Sequence, residues 1–443
     1  MKYGIAPGMW AAKGKDEKQM QKTDPRYQAY VRVLKNHLRA AMGCTEPIAI
    51  AYAAALARET LGCLPERVEV LVSGNIIKNA KAVTVPNTNG KKGIDAACAA
   101  GLVAGDAQRE LQVISSVNPE KIGEIDACLR RGIITVGLKP DARLFDILVR
   151  VWGEGHEAHV RIADRHTNVV EIGRDAEQLL HVELRGETLD EDPDEELLTI
   201  EGIVDFADTC DLADVQALLD RQIACNTAIA QEGMAGEWGA SIGRVLLDSY
   251  GSDVRVRACA YAAAGSDARM SGCEMPVVIN SGSGNQGITV SVPVIEYARE
   301  KGVSDEQLYR ALVISNLVAI REKSTIGCLS AYCGAISAGC ASGAAIAYLD
   351  GGDLDLINHT IVNGLAILSG TICDGAKPSC AAKIASAVHA ALMGYQMARA
   401  GKEFRSGEGI VKKGVENTIA SVGRLGKDGM RQTDEEILRI MIE

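Results

Sequence analysis

Apolar residues recur at helical spacing near the start of the chain. Tyr30, Val31, Leu34, Leu38 and Met42 share one face of a helix predicted over 27–42, and Gly43 interrupts it. Cys44-Thr45-Glu46-Pro47 then opens a second, Ala-rich helix over 48–60, closed by Gly62. Thr45 is expected as its N-cap, with Pro47 in the first turn, where a missing N–H costs nothing. The period next shortens towards two. Segments 68–72, 82–86, 133–136, 147–152, 159–162 and 168–172 read as strands, with a helix over 95–105 among them. An acidic, turn-rich stretch at 187–196 reads as a linker. From about residue 200 helical spacing returns, over 211–231, 239–248, 305–320, 335–349, 356–368 and 381–399. Glycine-rich turns separate these, notably at 280–287. No repeat of solenoid length is present. The expected fold class is α+β: a mostly helical domain from 25–62 plus 196–443, an α/β lobe inserted at 63–195, and a loose charged arm at 1–24.

Composition narrows the function. The 443 residues, 47% hydrophobic, suffice for two or three domains with cores of their own. The net charge of −11 is spread along the chain, so the basic face of a nucleic-acid reader is missing. Aromatic residues make up 4%, too few for a base-stacking platform. The first thirty residues hold no apolar core of signal-peptide length, and the 13 cysteines are an odd number. The expected setting is the reducing cytoplasm, where thiols are buried, catalytic or metal-bound rather than paired. The uncharged stretch 326–349 is long enough to span a bilayer, but it is built of Ala, Gly, Ser and Cys. Small residues suit a buried, closely packed helix, so no membrane span is expected.

Three constellations could carry chemistry. Cys44 stands at a helix N-terminus, where the dipole and unpaired N–H groups favour the thiolate; the competing reading is a thiol packed behind the cap. Ser281-Gly-Ser283-Gly-Asn285-Gln-Gly287 interleaves glycines with donors, as a nest for a phosphate or carboxylate requires, although a plain turn would also use glycines. Ser73-Gly74-Asn75, followed by Lys78 and Asn79, is a smaller echo at the end of a predicted strand. Lastly, Cys328, Cys333, Cys340, Cys373 and Cys380 gather towards the C-terminus with no Cys-x-x-Cys, which disfavours zinc ribbons and ferredoxin-type runs. Cys373 and Cys380 flank the turn residues Asp374, Gly375 and Pro378. Three thiolates suit an iron–sulfur cluster with one iron open to substrate, but spacing does not choose Cys333 over Cys328 or Cys340, and buried cysteines often serve as small hydrophobes.

The segments Gly43-Cys-Thr-Glu-Pro-Ile-Ala49, Ser281–Gly287 and Cys373-Asp-Gly-Ala-Lys-Pro-Ser-Cys380 occur in this order, and from about residue 27 onward the chain resembles the L-cysteine desulfidase family. That family is related to the catalytic chain of iron–sulfur L-serine dehydratases. The resemblance implies that Cys333, Cys373 and Cys380 hold a [4Fe-4S] cluster, that Cys44 is the catalytic base, and that Cys328 and Cys340 only pack. It implies β-elimination of L-cysteine to sulfide, pyruvate and ammonia, with L-serine as the alternative substrate. From donor chemistry, Ser73, Asn75, Ser281, Ser283 and Asn285 are expected to bind the substrate carboxylate. His166, at a strand start, is expected to cap a turn rather than line the site. A pyridoxal-phosphate lyase would need a Schiff-base lysine, and Lys377, between two cysteines, is a poor setting for one. A non-catalytic cluster-based redox sensor would need a DNA-binding or partner module, and none is evident. The expected partner is a small amino acid, with no nucleic acid and no membrane; packing of the small-residue helices across a homo-oligomer is open.

Overall fold

The structure is a computed structural model that describes residues 20–184, 192–327 and 329–443. The predicted arm up to residue 19, most of the linker's acidic stretch and Cys328 lie outside the described residues. In chain order the first elements are α1 (Pro25–His37), β1 (Ala40–Met42), α2 (Thr45–Leu61), β2 (Arg67–Val72), α3 (Gly74–Ala80), α4 (Gly93–Ala104) and α5 (Pro119–Arg130). The strands β3 (Ile134–Leu138), β4 (Asp146–Gly153), β5 (His156–Ala163), β6 (Val169–Arg174) and β7 (Glu177–His181) follow. Helices then dominate: α6 (Pro193–Glu196), α7 (Ile200–Thr209), α8 (Gln216–Ala235), α9 (Ile242–Tyr250) and α10 (Val254–Met270) precede the short β8 (Pro276–Val278). The rest is α11 (Gly284–Lys301), α12 (Asp305–Ile326), α13 (Gly334–Leu349), α14 (Leu354–Leu368), α15 (Cys380–Arg399), α16 (Val415–Arg424) and α17 (Arg431–Ile442). The fold is a mostly helical α+β architecture with one mixed six-stranded sheet.

The sheet order is β3-β2-β4-β5-β6-β7; β2 and β3 are parallel and every other pair is antiparallel. β4 is buried along nearly its whole length, as a central strand should be, because α2 covers it. α2 is apolar around its circumference, and it accordingly packs both on this sheet and on α4. One apolar core runs through sheet and helices, and a small separate cluster of Cys44, Val83 and Met270 packs against Ala376 and Cys380. Within the uncharged stretch, α13 is buried from Ala335 to Leu349 among α11, α12, α14 and α15, and no described helix is long and apolar enough to cross a membrane.

Several local expectations are corrected. The first helix stops at His37 because residues 40–42 pair with β8, tying the chain's first segment to its C-terminal half. Residues 82–86 are not a strand of the sheet; Thr84 makes an isolated bridge to Lys92, and Val83 packs on Cys44. The N-cap of α2 is Cys44, with no side-chain cap, and Thr45 Oγ1 instead donates to the Gly282 carbonyl at 2.9 Å. The glycine-rich run at 280–287 is half turn and half helix: Ser283 caps α11 by accepting from Gln286 N. Helix α10 escaped prediction because its alanines leave little amphipathic contrast.

Candidate active site

Three of the predicted cysteines come together, each at a helix start or on a strand-like loop. Cys333 is the N-cap of α13 and Cys380 the first residue of α15. Cys373 is brought to Cys333 by a miniature ladder: Tyr332 bridges Ile372, Cys333 N donates to Thr371 O (3.1 Å) and Cys373 N donates to Ala331 O (2.6 Å). The two thiols are hydrogen-bonded to each other. The hydrogen bond from Cys333, helped by Lys78 and Lys323, holds Cys373 below the usual thiol range, and the same bond raises Cys333. Burial raises Cys380, against the pull of Lys377 and Lys383. Asp374 anchors the intervening loop by accepting from both Lys377 and Lys383, so Lys377 is already committed. Cys340 is a buried packing residue one helical stretch beyond Cys333.

Among the described residues no three His, Cys, Asp or Glu side chains converge as ligands of a single ion. A four-iron cluster does not ask for that, because each thiolate binds a different iron and the ligands spread around it. The donor set fits such a group: three thiols, Cys333 at the start of α13 and Cys373 and Cys380 at the two ends of one loop, with Cys333 and Cys373 hydrogen-bonded to each other. Four lysines, Lys78, Lys323, Lys377 and Lys383, supply positive potential to offset thiolate charge.

Cys44 lies on the other side of Cys380, within the same small apolar cluster. It is 3% exposed, and burial, reinforced by the Glu46 charge, pushes its thiol well up rather than down. The helix start does not produce the thiolate that its position alone predicts, because desolvation outweighs the dipole. The thiol donates to Glu46 Oε2 (3.3 Å), while Asn79 Nδ2 donates to Glu46 Oε1 (3.0 Å). Glu46 is therefore a site residue that sequence reasoning passed over, although it sits within the quoted motif.

A cavity of about 1200 Å³ runs beside these groups, lined in part by Ser73, Asn75, His166, Ser281, Gly282 and Lys323. None of the four thiols is on its wall. The wall stops at Gly282, which Thr45 holds, and at Ala331, which Cys373 holds. The expected carboxylate ligands divide on inspection. Ser73 Oγ donates to Leu144 O (2.9 Å) and Ser281 Oγ donates to Asn280 Oδ1 (2.9 Å), so both of those protons are engaged, whereas Ser283 Oγ accepts from Gln286 N in the cap. Asn285 Oδ1 accepts from Arg269 Nη1 (3.1 Å), and Asn75 Oδ1 is buried without a partner. His166 does more than cap a turn. Its ring packs edge-on against Phe145 at 4.7 Å, its Nε2 is buried without a partner, and a Cβ on Gly282 would stand 3.0 Å from it. Burial holds its imidazole neutral, lowering its pKa.

Comparison with known proteins follows this geometry. The profile of the family described as serine dehydratase alpha chain matches residues 108–439. A UPF0597 protein from Desulfitobacterium hafniense is 54% identical over 96% of this chain and 98% of its own length. UPF0597 proteins from Lachnoclostridium phytofermentans and Finegoldia magna are each 48% identical over 94% of this chain, and over 100% and 99% of their own lengths.

Proposed function

The chain belongs to the serine dehydratase alpha chain family, and on that premise we propose that it is an iron–sulfur lyase that eliminates the β-substituent of L-cysteine. Membership implies a dehydratase-type lyase with an iron–sulfur cluster. The finer reading is that Cys333, Cys373 and Cys380 hold a [4Fe-4S] cluster, that Cys44 is the base, and that the substrate is L-cysteine. The single observation that carries it is the packing of Cys44 against Cys380, at one end of a loop whose other end, Cys373, is paired with Cys333.

When bound, such a cluster supplies a Lewis acid for the leaving group. The chain's own residues supply the proton chemistry. Cys44 enters as a thiol, and Glu46 Oε2, its acceptor at 3.3 Å, can take that proton. The Cys44 thiolate then removes the α-proton, the bond from Cβ to sulfur breaks, and sulfide departs with its electron pair. The aminoacrylate left behind becomes an imine and hydrolyses, so that L-cysteine and water give hydrogen sulfide, pyruvate and ammonia. Burial of Cys44 keeps bulk water from competing for the proton.

L-Serine is the second reading, favoured by the description of the matched family. The two substrates differ in the atom that leaves: a thiolate is a soft ligand for iron and a good leaving group, whereas a hydroxyl is harder and worse. The experiment is anaerobic reconstitution followed by assay of sulfide, pyruvate and ammonia from L-cysteine and of pyruvate from L-serine. Equal sulfide and pyruvate from L-cysteine, lost in Cys44→Ala with iron content retained, is expected. Full turnover by Cys44→Ala, or turnover without iron, overturns the reading.

A further inference from the structure

Arg269 is a buried cation with no counter-ion. It is 2% exposed, stands in the last turn of α10, and among the described residues no carboxylate lies within ion-pair reach of it. Its Nη1 donates to Asn285 Oδ1, and its Nε meets no acceptor among the described residues. Arginine is seldom buried unless paired, because a desolvated charge without an opposite charge is costly. The guanidinium therefore marks a place where an anion is missing.

Its position says where that anion goes. A Cβ on Gly284, the first residue of α11, would stand 2.3 Å from Arg269 Nε, so the guanidinium lies directly on the start of that 18-residue helix. The first turn of a helix leaves its leading N–H groups without intrahelical partners and carries the positive end of the dipole. A planar guanidinium beside such a turn suits a carboxylate, which it can grip with two parallel hydrogen bonds. The Arg269 charge is also felt by Cys44 and by His166, so the spot adjoins the proposed base.

We propose that Arg269, with the N-terminal turn of α11, is the anchor for the α-carboxylate of the amino-acid substrate. Asn285 is then a positioning residue that holds the guanidinium through Nη1, and Ser283 shapes the helix start rather than touching substrate. The inference rests on the amino-acid lyase reading and deepens it. It differs from the expected nest of hydroxyls, whose oxygens are engaged within the protein.

The test uses the whole protein and probes that do not react. L-Alanine keeps the carboxylate and ammonium but has no leaving group, and ethylamine lacks the carboxylate. By calorimetry, the wild-type protein is expected to bind L-alanine at least tenfold more tightly than ethylamine. Arg269→Gln is expected to weaken L-alanine about 10- to 100-fold, the worth of a buried charge-assisted hydrogen-bonded pair, and to leave ethylamine unchanged. Arg269→Lys, which keeps the charge but not the fork, is expected to fall between. Ligand-free Arg269→Gln is expected to melt no lower than wild type, because it removes an uncompensated buried charge. A fall in melting temperature with equal weakening of both probes would make Arg269 structural and overturn the proposal. If Arg269-dependent binding of L-alanine holds but neither L-cysteine nor L-serine is consumed, the anchor stands and the lyase reading fails. If L-cysteine is consumed and Arg269→Gln leaves L-alanine binding intact, the anchor fails and the lyase reading stands.

Discussion

Gly375 joins the two cysteine-bearing ends of one loop, and Gly375→Ala is a sharp test of whether that loop seats a cluster. Its φ is +93°, in the region that side chains rarely adopt, which costs an alanine roughly 1–2 kcal/mol. The added Cβ would stand 2.3 Å from the carbonyl oxygen of Lys78, whereas ordinary contact begins at 3.4 Å, so the two backbones must part by about 1 Å. Lys78 cannot yield easily: it is 2% exposed, lies within α3 and is ion-paired to Asp434. The displacement falls on the loop that carries Cys373 and Cys380. We expect a stability loss of about 1–3 kcal/mol and, after anaerobic reconstitution, a severalfold loss of iron and acid-labile sulfide per chain. Gly351→Ala is the control, because φ there is +77° and a Cβ meets nothing within 4 Å. It bears the same conformational strain away from the cysteines and should load fully. A Gly375→Ala protein that loads iron as well as Gly351→Ala does would refute the assignment of this loop to a cluster.

Three further outcomes follow from buried polar groups. Asn226 is fully buried in α8; its Nδ2 has Val278 O, Gly287 O and Ser291 Oγ within hydrogen-bond reach of its two hydrogens, and its Oδ1 accepts from Val278 N, so Asn226→Leu strands several partners and should cost about 2–4 kcal/mol in chemical denaturation. Asp146, wholly buried at the start of β4, accepts from Arg161 Nε and Nη2 (2.9 and 2.8 Å) and pairs with Lys139 (3.2 Å); Asp146→Ala should cost about 2–4 kcal/mol by stranding Lys139 and leaving Arg161 with Glu171 alone. Burial raises the Cys259 thiol to about 12, and the sign follows from that direction: its contribution to stability is complete below pH 9 and drains as the pH climbs towards 12. The unfolding free energy should therefore fall above pH 9, by at most about 1.4 kcal/mol per pH unit from this thiol, with the melting temperature falling alongside, and Cys259→Ala should show a shallower alkaline slope.

The same balance of burial against charge orders the candidate site. Cys44 and Cys333 both cap helices, yet both thiols are raised, one by desolvation and the other chiefly by donating to Cys373. Cys373, on a loop rather than a helix, is the thiol held low, because a neighbour donates to it and two lysines face it. Helix position therefore does not rank these cysteines; the hydrogen-bond partner does.

What the sequence determined by itself was local and periodic. Alternation within 68–72, 147–152, 159–162 and 168–172 specified four of the sheet strands, and the small-residue run in α13 predicted a buried helix rather than a membrane span. The motifs around Cys44, Ser281 and Cys373 were tied to one site only by the family resemblance they carry, because spacing alone did not choose Cys333 over Cys328 or Cys340. The tertiary structure decided what depends on partners far away in the chain. Residues 40–42 became a strand only because β8 offers an edge, and 82–86 lost its strand to the packing of Val83 on Cys44. Glu46 acquired its role from the thiol it faces, Asn285 from the guanidinium it holds, and His166 from a Gly282 more than a hundred residues on. Arg269 carries no motif at all. Its meaning lies in the absence of a counter-ion, and only the folded arrangement of every neighbouring charge can reveal that.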